Sequence, residues 1–162
     1  SRNFKVIGET GHVYGYGKSV WAMIDLDTRQ PADILSVRGG LITEYIETEY
    51  SCPIEKSSRV KMSADATPVR SIDTYYNDVD INGHINSVKY IEHMLDLWDV
   101  AWYKQHRIKR FEIAYVAESH QGDKLHFYRE QRETETDFNV RITKSNVGRE
   151  ETEVCRCRVQ FV

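Results

Sequence analysis

Apolar and polar residues alternate along several segments of the chain, which is the pattern of β-strands that bury one face. This alternation predicts three strands in the first half of the chain, over residues 4–9, 13–27 and 63–76. In the second strand, Val20, Ala22, Ile24 and Leu26 would share one face. Four further strands are predicted in the second half, over residues 107–118, 124–133, 137–144 and 152–162.

Between these two groups of strands, residues 87–98 carry apolar side chains at helical spacing. The apolar positions are Val88, Tyr90, Ile91, Met94, Leu95, Leu97 and Trp98. Because they cover most of the helix surface, this helix must be enclosed by other elements. The order of one strand, one helix and four strands therefore predicts an α+β fold, with a long helix against an antiparallel sheet.

The region between the first strands and this second group lacks a clear period. Residues 32–49 are irregular or weakly helical in pattern, and residues 51–58 contain serines and Pro53, as linkers often do. We place a domain boundary there. The predicted domains are residues 1–58 and residues 59–162.

Composition narrows the class of protein. The chain has 162 residues, of which 40% are hydrophobic and 29% charged, as in a globular domain. Its net charge of −3 provides no overall positive field for nucleic acid. It contains no apolar run of about 18 residues that could span a membrane, and its first residues lack the layout of a signal peptide.

Cysteine usage favours a reducing compartment. Cys52 stands alone, while Cys155 and Cys157 are two residues apart, which fits neither a disulfide framework nor a zinc site. Cys155 and Cys157 share a strand face with Val159, so we interpret them as core residues. We expect a cytoplasmic protein.

The chemistry of the chain is concentrated in residues 76–86, just before the predicted helix. This segment contains two carboxylates, several side-chain amides, a glycine and His84. A helix start offers free backbone N–H groups, which can bind an anion or a developing oxyanion.

A calcium-binding loop is one alternative for this segment. Asp78, Asp80, Asn82 and Gly83 match the opening of an EF-hand loop. However, Lys89 occupies position twelve, where a bidentate glutamate should bind calcium. We therefore expect no metal ion and no cofactor.

Two sequence blocks carry a resemblance to a known family. The residues Asp80-x-Asn82-x-His84-Ile85-Asn86, followed by Lys89-Tyr90-Ile91, resemble the signature of the acyl-acyl carrier protein thioesterases of plants and bacteria. Upstream, Trp21-Ala22-Met23-Ile24-Asp25 with Thr28-Arg29 resembles a second block of that family. The resemblance implies a double hotdog fold. Residues 59–162 would form a complete second hotdog, and residues 1–58 the closing strands of a first.

The resemblance also implies a catalytic group of Asp80, Asn82, His84 and Glu118. Plant members usually have a cysteine after the glutamate, whereas this chain has Ser119. A thiol mechanism is therefore excluded at that position, and water is the expected nucleophile.

In the expected mechanism, Glu118 is the general base, and Asp80 holds the water or orients His84. Asn82 and His84 would supply hydrogen bonds, and the backbone N–H groups of Ile85 and Asn86 would face the thioester carbonyl.

Each residue also has an ordinary explanation. Asp80 and Asn82 could be turn or capping residues, Glu118 a solvated side chain and His84 a loop histidine. For the whole protein, the alternatives are an acyl-coenzyme A hotdog thioesterase and a non-catalytic acyl-binding module.

The expected partner is an acyl carrier protein that carries a fatty acyl thioester. Carrier proteins are acidic, so a basic segment near the end of the helix is a candidate docking surface. Its residues are Lys104, Arg107, Lys109 and Arg110. A solvated loop is the alternative. We further expect no nucleic-acid partner, and the chain on its own could self-associate, for example as a homodimer.

Overall fold

In the computed structural model, residues 1–28, 30–147 and 150–162 are described, and they form two compact units, Ser1–Lys56 and Ser57–Val162. In the first unit, strands β1 (Arg2–Ile7) and β2 (Val13–Ser19) pair antiparallel. A 3₁₀-helical segment with a kink follows over Ile34–Tyr45. No hydrophobic side chain in the described part of this unit is buried.

The predicted second strand is too long. β2 ends at Ser19, and Val20 and Leu26 are exposed, so the predicted face beyond Ser19 is wrong. The physical reason is that β1, the strand that pairs with β2, begins at Arg2 opposite Ser19, so residues 20–24 have no partner in β1. The chain then turns at Asp25, whose carboxylate accepts a hydrogen bond of 2.7 Å from the N–H of Thr28. Arg29, which belongs to the upstream sequence block, lies outside the described residues.

The second unit has a five-stranded antiparallel sheet in the order β3-β5-β6-β7-β4. The strands are β3 (Arg70–Asp73), β4 (Ile108–Tyr115), β5 (Lys124–Gln131), β6 (Asp137–Ser145) and β7 (Thr152–Phe161). The four strands predicted after the helix are confirmed to within a few residues. The strand predicted over residues 63–76 is reduced to β3. Gly148, in the predicted turn before β7, lies outside the described residues.

The helix predicted over residues 87–98 ends a few residues early, and a second helix that the sequence pattern does not predict follows it. α1 covers Ser87–Leu95 and α2 covers Val100–Gln105. The Asp99 carboxylate accepts a hydrogen bond of 2.8 Å from the N–H of Trp102 and so starts the second helix. The predicted end at Trp98 is therefore wrong, although Trp98 is still a buried core residue.

The core lies between the helical segment and one face of the sheet. Tyr90 and Met94 from α1 are buried in one cluster with Phe127 and Val140 from the sheet. This is the α+β hotdog architecture that the sequence predicts. No helix in the described ranges has both the length and the hydropathy to cross a membrane.

Both cysteines of β7 are core residues, as predicted. Cys155 and Cys157 are fully buried, and burial raises the pKa of Cys155 to about 12. Burial also raises the pKa of Cys157 well above its ordinary value. These thiols therefore stay protonated and pack as small hydrophobic side chains.

Candidate active site

The polar cluster before α1 folds into a tight turn. The N–H of Gly83 donates to the carbonyl of Asp80 over 3.1 Å, and the N–H of Asp80 donates to the carbonyl of His84 over 2.8 Å. Gly83 has a φ of 82°, a left-handed conformation that residues other than glycine rarely adopt. The turn brings His84 back toward the sheet, directly before α1.

The side chain of Asp80 stabilises this turn by hydrogen bonds to its backbone. Its Oδ1 accepts hydrogen bonds from the N–H groups of Asn82 (2.8 Å) and His84 (3.1 Å). Burial raises the pKa of Asp80, but these two N–H groups outweigh burial, so the pKa lies below its ordinary value. Asp80 is therefore ionised at neutral pH and orients His84 through the backbone. Asn82 is exposed at the tip of the turn.

His84 and Glu118 meet across the fold. Nε2 of His84 lies 3.4 Å from Oε2 of Glu118. Side-chain exposure is 33% for His84 and 55% for Glu118, so water can reach both groups. Of the residues implied by the resemblance, these two form a direct side-chain pair. Asp80 contributes indirectly, because its carboxylate accepts a hydrogen bond from the backbone N–H of His84.

The backbone around Glu118 is fixed by contacts with three other elements. The N–H groups of Val116 and Ala117 both donate to the carbonyl of Val154 in β7. Nζ of Lys144 in β6 donates to the carbonyl of Glu118 over 2.6 Å. The carbonyl of Ser119 accepts a hydrogen bond of 2.8 Å from the N–H of Ile85. Glu118 is thus held at the edge of the sheet rather than on a free loop.

Ser119 is fully buried and bonded to α1. Its Oγ lies 2.5 Å from the hydroxyl of Tyr90. Burial, the largest effect, raises the pKa of Tyr90 to about 12, so this hydroxyl keeps its proton at neutral pH. A serine in this position connects the Glu118 segment to α1, and the structure brings no base to its Oγ among the described contacts.

The predicted backbone oxyanion donors are wrong. The N–H of Ile85 already donates to the carbonyl of Ser119, and the N–H of Asn86 donates to the carbonyl of Asp78 over 2.7 Å. The cap of α1 is Asn86, whose side chain accepts from the N–H of Val88, so of the turn and capping roles that the sequence allows for Asp80 and Asn82 the structure shows the turn role. The side chains of this turn that can act as hydrogen-bond donors are the Asn82 amide and the His84 imidazole.

Two site residues are missing from the sequence prediction. The rings of His84 and His120 have centroids 5.0 Å apart in an edge-to-face arrangement. Lys144, described above, comes from a strand distant in sequence. His120 stands two residues after Glu118, which is the one sequence signal that could have indicated it.

The predicted docking cluster lies at the other end of the sheet. Arg107 pairs through its backbone with Val162, whereas the backbone just before Glu118 pairs with Val154 near the start of β7. Lys104, Arg107 and Lys109 are exposed. Arg110 instead forms an ion pair of 2.6 Å with Glu112.

No group of three or more histidine, cysteine, aspartate or glutamate side chains in residues 1–28, 30–147 and 150–162 is arranged to hold a metal ion.

Comparison with known protein families gives a match over the second unit. Residues 61–161 match the family described as the acyl-ACP thioesterase C-terminal domain. A palmitoyl-acyl carrier protein thioesterase of Arabidopsis thaliana chloroplasts is 30% identical over 112 residues, which is 67% of this chain and 27% of the relative. A cotton relative (Gossypium hirsutum) with the same description is 26% identical over 113 residues.

Solved structures cover nearly the whole chain. An acyl-ACP thioesterase from Bacteroides thetaiotaomicron is 46% identical, with a TM-score of 0.87, over 99% of this chain and 61% of that chain. A 12:0-ACP thioesterase from Umbellularia californica is 19% identical, with a TM-score of 0.72 and the same coverage of each chain, and it supports the fold. The chain thus spans about a quarter of the plant relatives and three fifths of these structures.

Proposed function

The chain belongs to the acyl-ACP thioesterase family, and on that basis we propose that the full-length protein hydrolyses a fatty acyl thioester of acyl carrier protein. The products would be a free fatty acid and the carrier protein with its thiol restored. The observation that carries this proposal is the contact of 3.4 Å between Nε2 of His84 and Oε2 of Glu118, beside a helix start. An imidazole and a carboxylate that lie in contact and are open to water suit general-base hydrolysis.

In the proposed reaction, the Glu118 carboxylate takes a proton from a water molecule while the oxygen of that water attacks the thioester carbonyl carbon. A C–O bond forms, and the carbonyl oxygen becomes an oxyanion. When the oxyanion collapses, the C–S bond breaks and the thiolate leaves, finally taking the proton that Glu118 received. A thiolate is a good leaving group, so the reaction needs little acid assistance.

Asp80, Asn82 and His84 have separate roles in this proposal. Asp80 holds the turn and fixes the direction of His84, since its Oδ1 accepts from the N–H of His84. The Asn82 amide and the His84 imidazole would stabilise the oxyanion, because the neighbouring backbone N–H groups are already bonded. One oxyanion donor typically contributes about 10²–10³-fold to kcat.

The buried position of Ser119 favours water as the nucleophile. The Oγ of Ser119 is bonded to Tyr90 and has no exposed surface, so it cannot approach a thioester without breaking this contact. An acyl-enzyme intermediate on Ser119 is therefore not part of the proposal.

The test is to incubate the full-length protein with matched palmitoyl, oleoyl and lauroyl thioesters of acyl carrier protein and of coenzyme A, and to measure free fatty acid. We expect faster release from the carrier-protein thioesters. Faster release from coenzyme A thioesters would favour an acyl-coenzyme A hydrolase. Tight binding of acyl chains without release from either substrate would instead indicate a binding module.

A cytoplasmic location and a homodimer stay predictions, and they can be checked by fractionation and by light scattering.

A further inference from the structure

A short segment crosses the outer face of the sheet in the second unit. We call residues 58–63 the strap. At its start, the N–H of Ser58 donates to Oε2 of Glu112 in β4 over 2.6 Å. In its middle, the amide of Asn139 in β6 donates to the carbonyl of Lys61 over 2.8 Å. At its end, the N–H of Ser63 donates to the carboxylate of Glu130 in β5. The strap therefore crosses the sheet from β4 past β6 to β5.

The strap and the sheet together line an open cavity of about 300 Å³. Its lining side chains include four cations and one carboxylate, namely Arg59, Lys61, Arg141, Arg156 and Glu153. We call this cavity the basic groove. Glu153 forms an ion pair with Arg156. A second carboxylate nearby, Glu151, accepts hydrogen bonds from the hydroxyls of Tyr128 and Thr143. Positive charge therefore exceeds negative charge here.

Arg141 is held on the sheet within the basic groove by an aromatic contact. Its guanidinium carbon lies 4.3 Å from the centroid of the Tyr128 ring, which fixes the plane of the side chain. Its Nε is buried and has no hydrogen-bond partner among the described residues. In the same unit, Arg158 is bound by Asp137 and Arg110 by Glu112. No ion pair among the described residues involves Arg141, so this groove arginine is less neutralised than Arg158 and Arg110.

The basic groove is at the end of the sheet that carries Glu118. Arg141 and Arg156 are directly paired in neighbouring strands. Two residues before Arg156, the carbonyl of Val154 receives the N–H groups of Val116 and Ala117, immediately before Glu118. By contrast, the cluster of Lys104 to Arg110 lies at the other end of β4, where Lys109 and Arg110 belong to the strand itself, and β4 rises about 23 Å. A partner docked at the groove can therefore reach the His84–Glu118 pair more easily.

We propose that the basic groove is the docking surface for an acidic protein that presents its acyl thioester to the His84–Glu118 pair. This inference rests on the proposed function and assigns the partner's contact to Arg59, Lys61, Arg141 and Arg156. Carboxylate side chains of the partner would pair with these cations, and the interaction would raise the association rate at low ionic strength.

The experiment uses the full-length protein with acyl-carrier-protein and N-acetylcysteamine thioesters of the same acyl chain. The groove variant is Arg59→Glu with Lys61→Glu, two exposed residues of the strap. The matched variant at the other end is Lys104→Glu with Lys109→Glu, which changes the net charge equally. For each variant, the ratio of kcat/KM for the carrier substrate to that for the small thioester is measured at several salt concentrations, together with Tm.

We expect the groove variant to lower this ratio about tenfold or more at low salt and to flatten its salt dependence. The variant Arg59→Gln with Lys61→Gln removes both positive charges without reversing them, and it should lower the ratio by a smaller factor. It replaces the charge-reversal variant in the test if that variant fails to fold. An unchanged ratio in both, or a larger fall in the Lys104–Lys109 variant, would overturn the docking assignment. If the unmodified protein hydrolyses neither thioester, the proposed function itself fails, which is a distinct result.

Discussion

Nε2 of His84 lies 3.4 Å from Oε2 of Glu118, although His84 ends a tight turn before α1 and Glu118 follows β4, which comes after both helices in the chain. This proximity depends on backbone contacts on both sides. The Asp80 carboxylate holds the turn, and Val154, Lys144 and Ile85 hold the Glu118 segment. The pair is therefore a property of the folded sheet edge rather than of either sequence block alone.

Removing the hydroxyl of Ser119 should affect stability more than catalysis. Ser119→Ala leaves the buried Tyr90 hydroxyl without its partner, which should lower the free energy of unfolding by about 1–3 kcal/mol. The double variant Ser119→Ala with Tyr90→Phe removes both polar groups and should recover part of this loss. Urea denaturation measures the free energy of unfolding of both variants. A fall in kcat as deep as that of a Glu118 variant, without loss of stability, would indicate that Ser119 is a nucleophile.

Lys144 should act as a positioning residue. Lys144→Met removes the donor to the Glu118 carbonyl, and we expect kcat to fall about tenfold with little change in KM. Lys144→Arg should restore part of kcat because a guanidinium can also donate. The control is Lys124→Met, since Lys124 pairs with the exposed Asp73. Equal effects of the Lys144 and Lys124 substitutions on steady-state kinetics would rule out a specific role.

Gly83 tests the shape of the turn. An added Cβ at this position meets no heavy atom within 4 Å, so a substitution is limited by the φ of 82° alone. Gly83→Ala should destabilise the turn by about 1–2 kcal/mol and lower kcat. Gly83→Asn should be milder although asparagine is larger, because asparagine adopts left-handed φ values more readily. If alanine were tolerated better than asparagine, the turn conformation described here would be in doubt.

Acid stability should depend on Asp137. Its carboxylate accepts two hydrogen bonds from Arg158, of 3.0 and 2.7 Å, and this contact lowers its pKa below the ordinary value. A folded-state pKa below the unfolded value of about 3.9 stabilises the fold above that pH. This stability is lost as pH falls through the lowered pKa.

Asp137→Asn should therefore reduce the free energy of unfolding at pH 7 by about 3 kcal/mol and make its decline below pH about 4 shallower. Unfolding curves across pH 2–7 measure this. An unchanged slope in the acid range would show that other carboxylates dominate.

The sequence predicts the sheet of the second unit better than its connections. Alternation identifies β4 to β7 because each strand buries one face, as Cys155 and Cys157 do in β7. Alternation fails beyond Ser19, the last residue of β2 that pairs with β1, because strand pairing depends on the neighbouring strand and not on the pattern. Helical spacing also misplaces the end of α1, which is Leu95 rather than Trp98, and it does not predict the second helix that Asp99 caps.

For the site, residue types were easier to predict than hydrogen-bond partners. The resemblance indicates His84 and Glu118, and the structure brings their side chains together. It could not show that the N–H groups of Ile85 and Asn86 are already bonded to carbonyls, because these bonds depend on tertiary contacts. The same applies to Lys144, which no local pattern connects to Glu118.

The measurement that tests the central claim most directly is the turnover of Glu118→Gln in the full-length protein, with acyl-carrier-protein thioester as substrate. Glutamine keeps the size of the side chain but cannot accept a proton from water. We predict a fall in kcat of about 10²–10⁴-fold at unchanged Tm. The matched control, Glu135→Gln at an exposed turn, should leave kcat unaltered. Near-normal fatty acid release by Glu118→Gln would contradict the assignment of Glu118 as the general base.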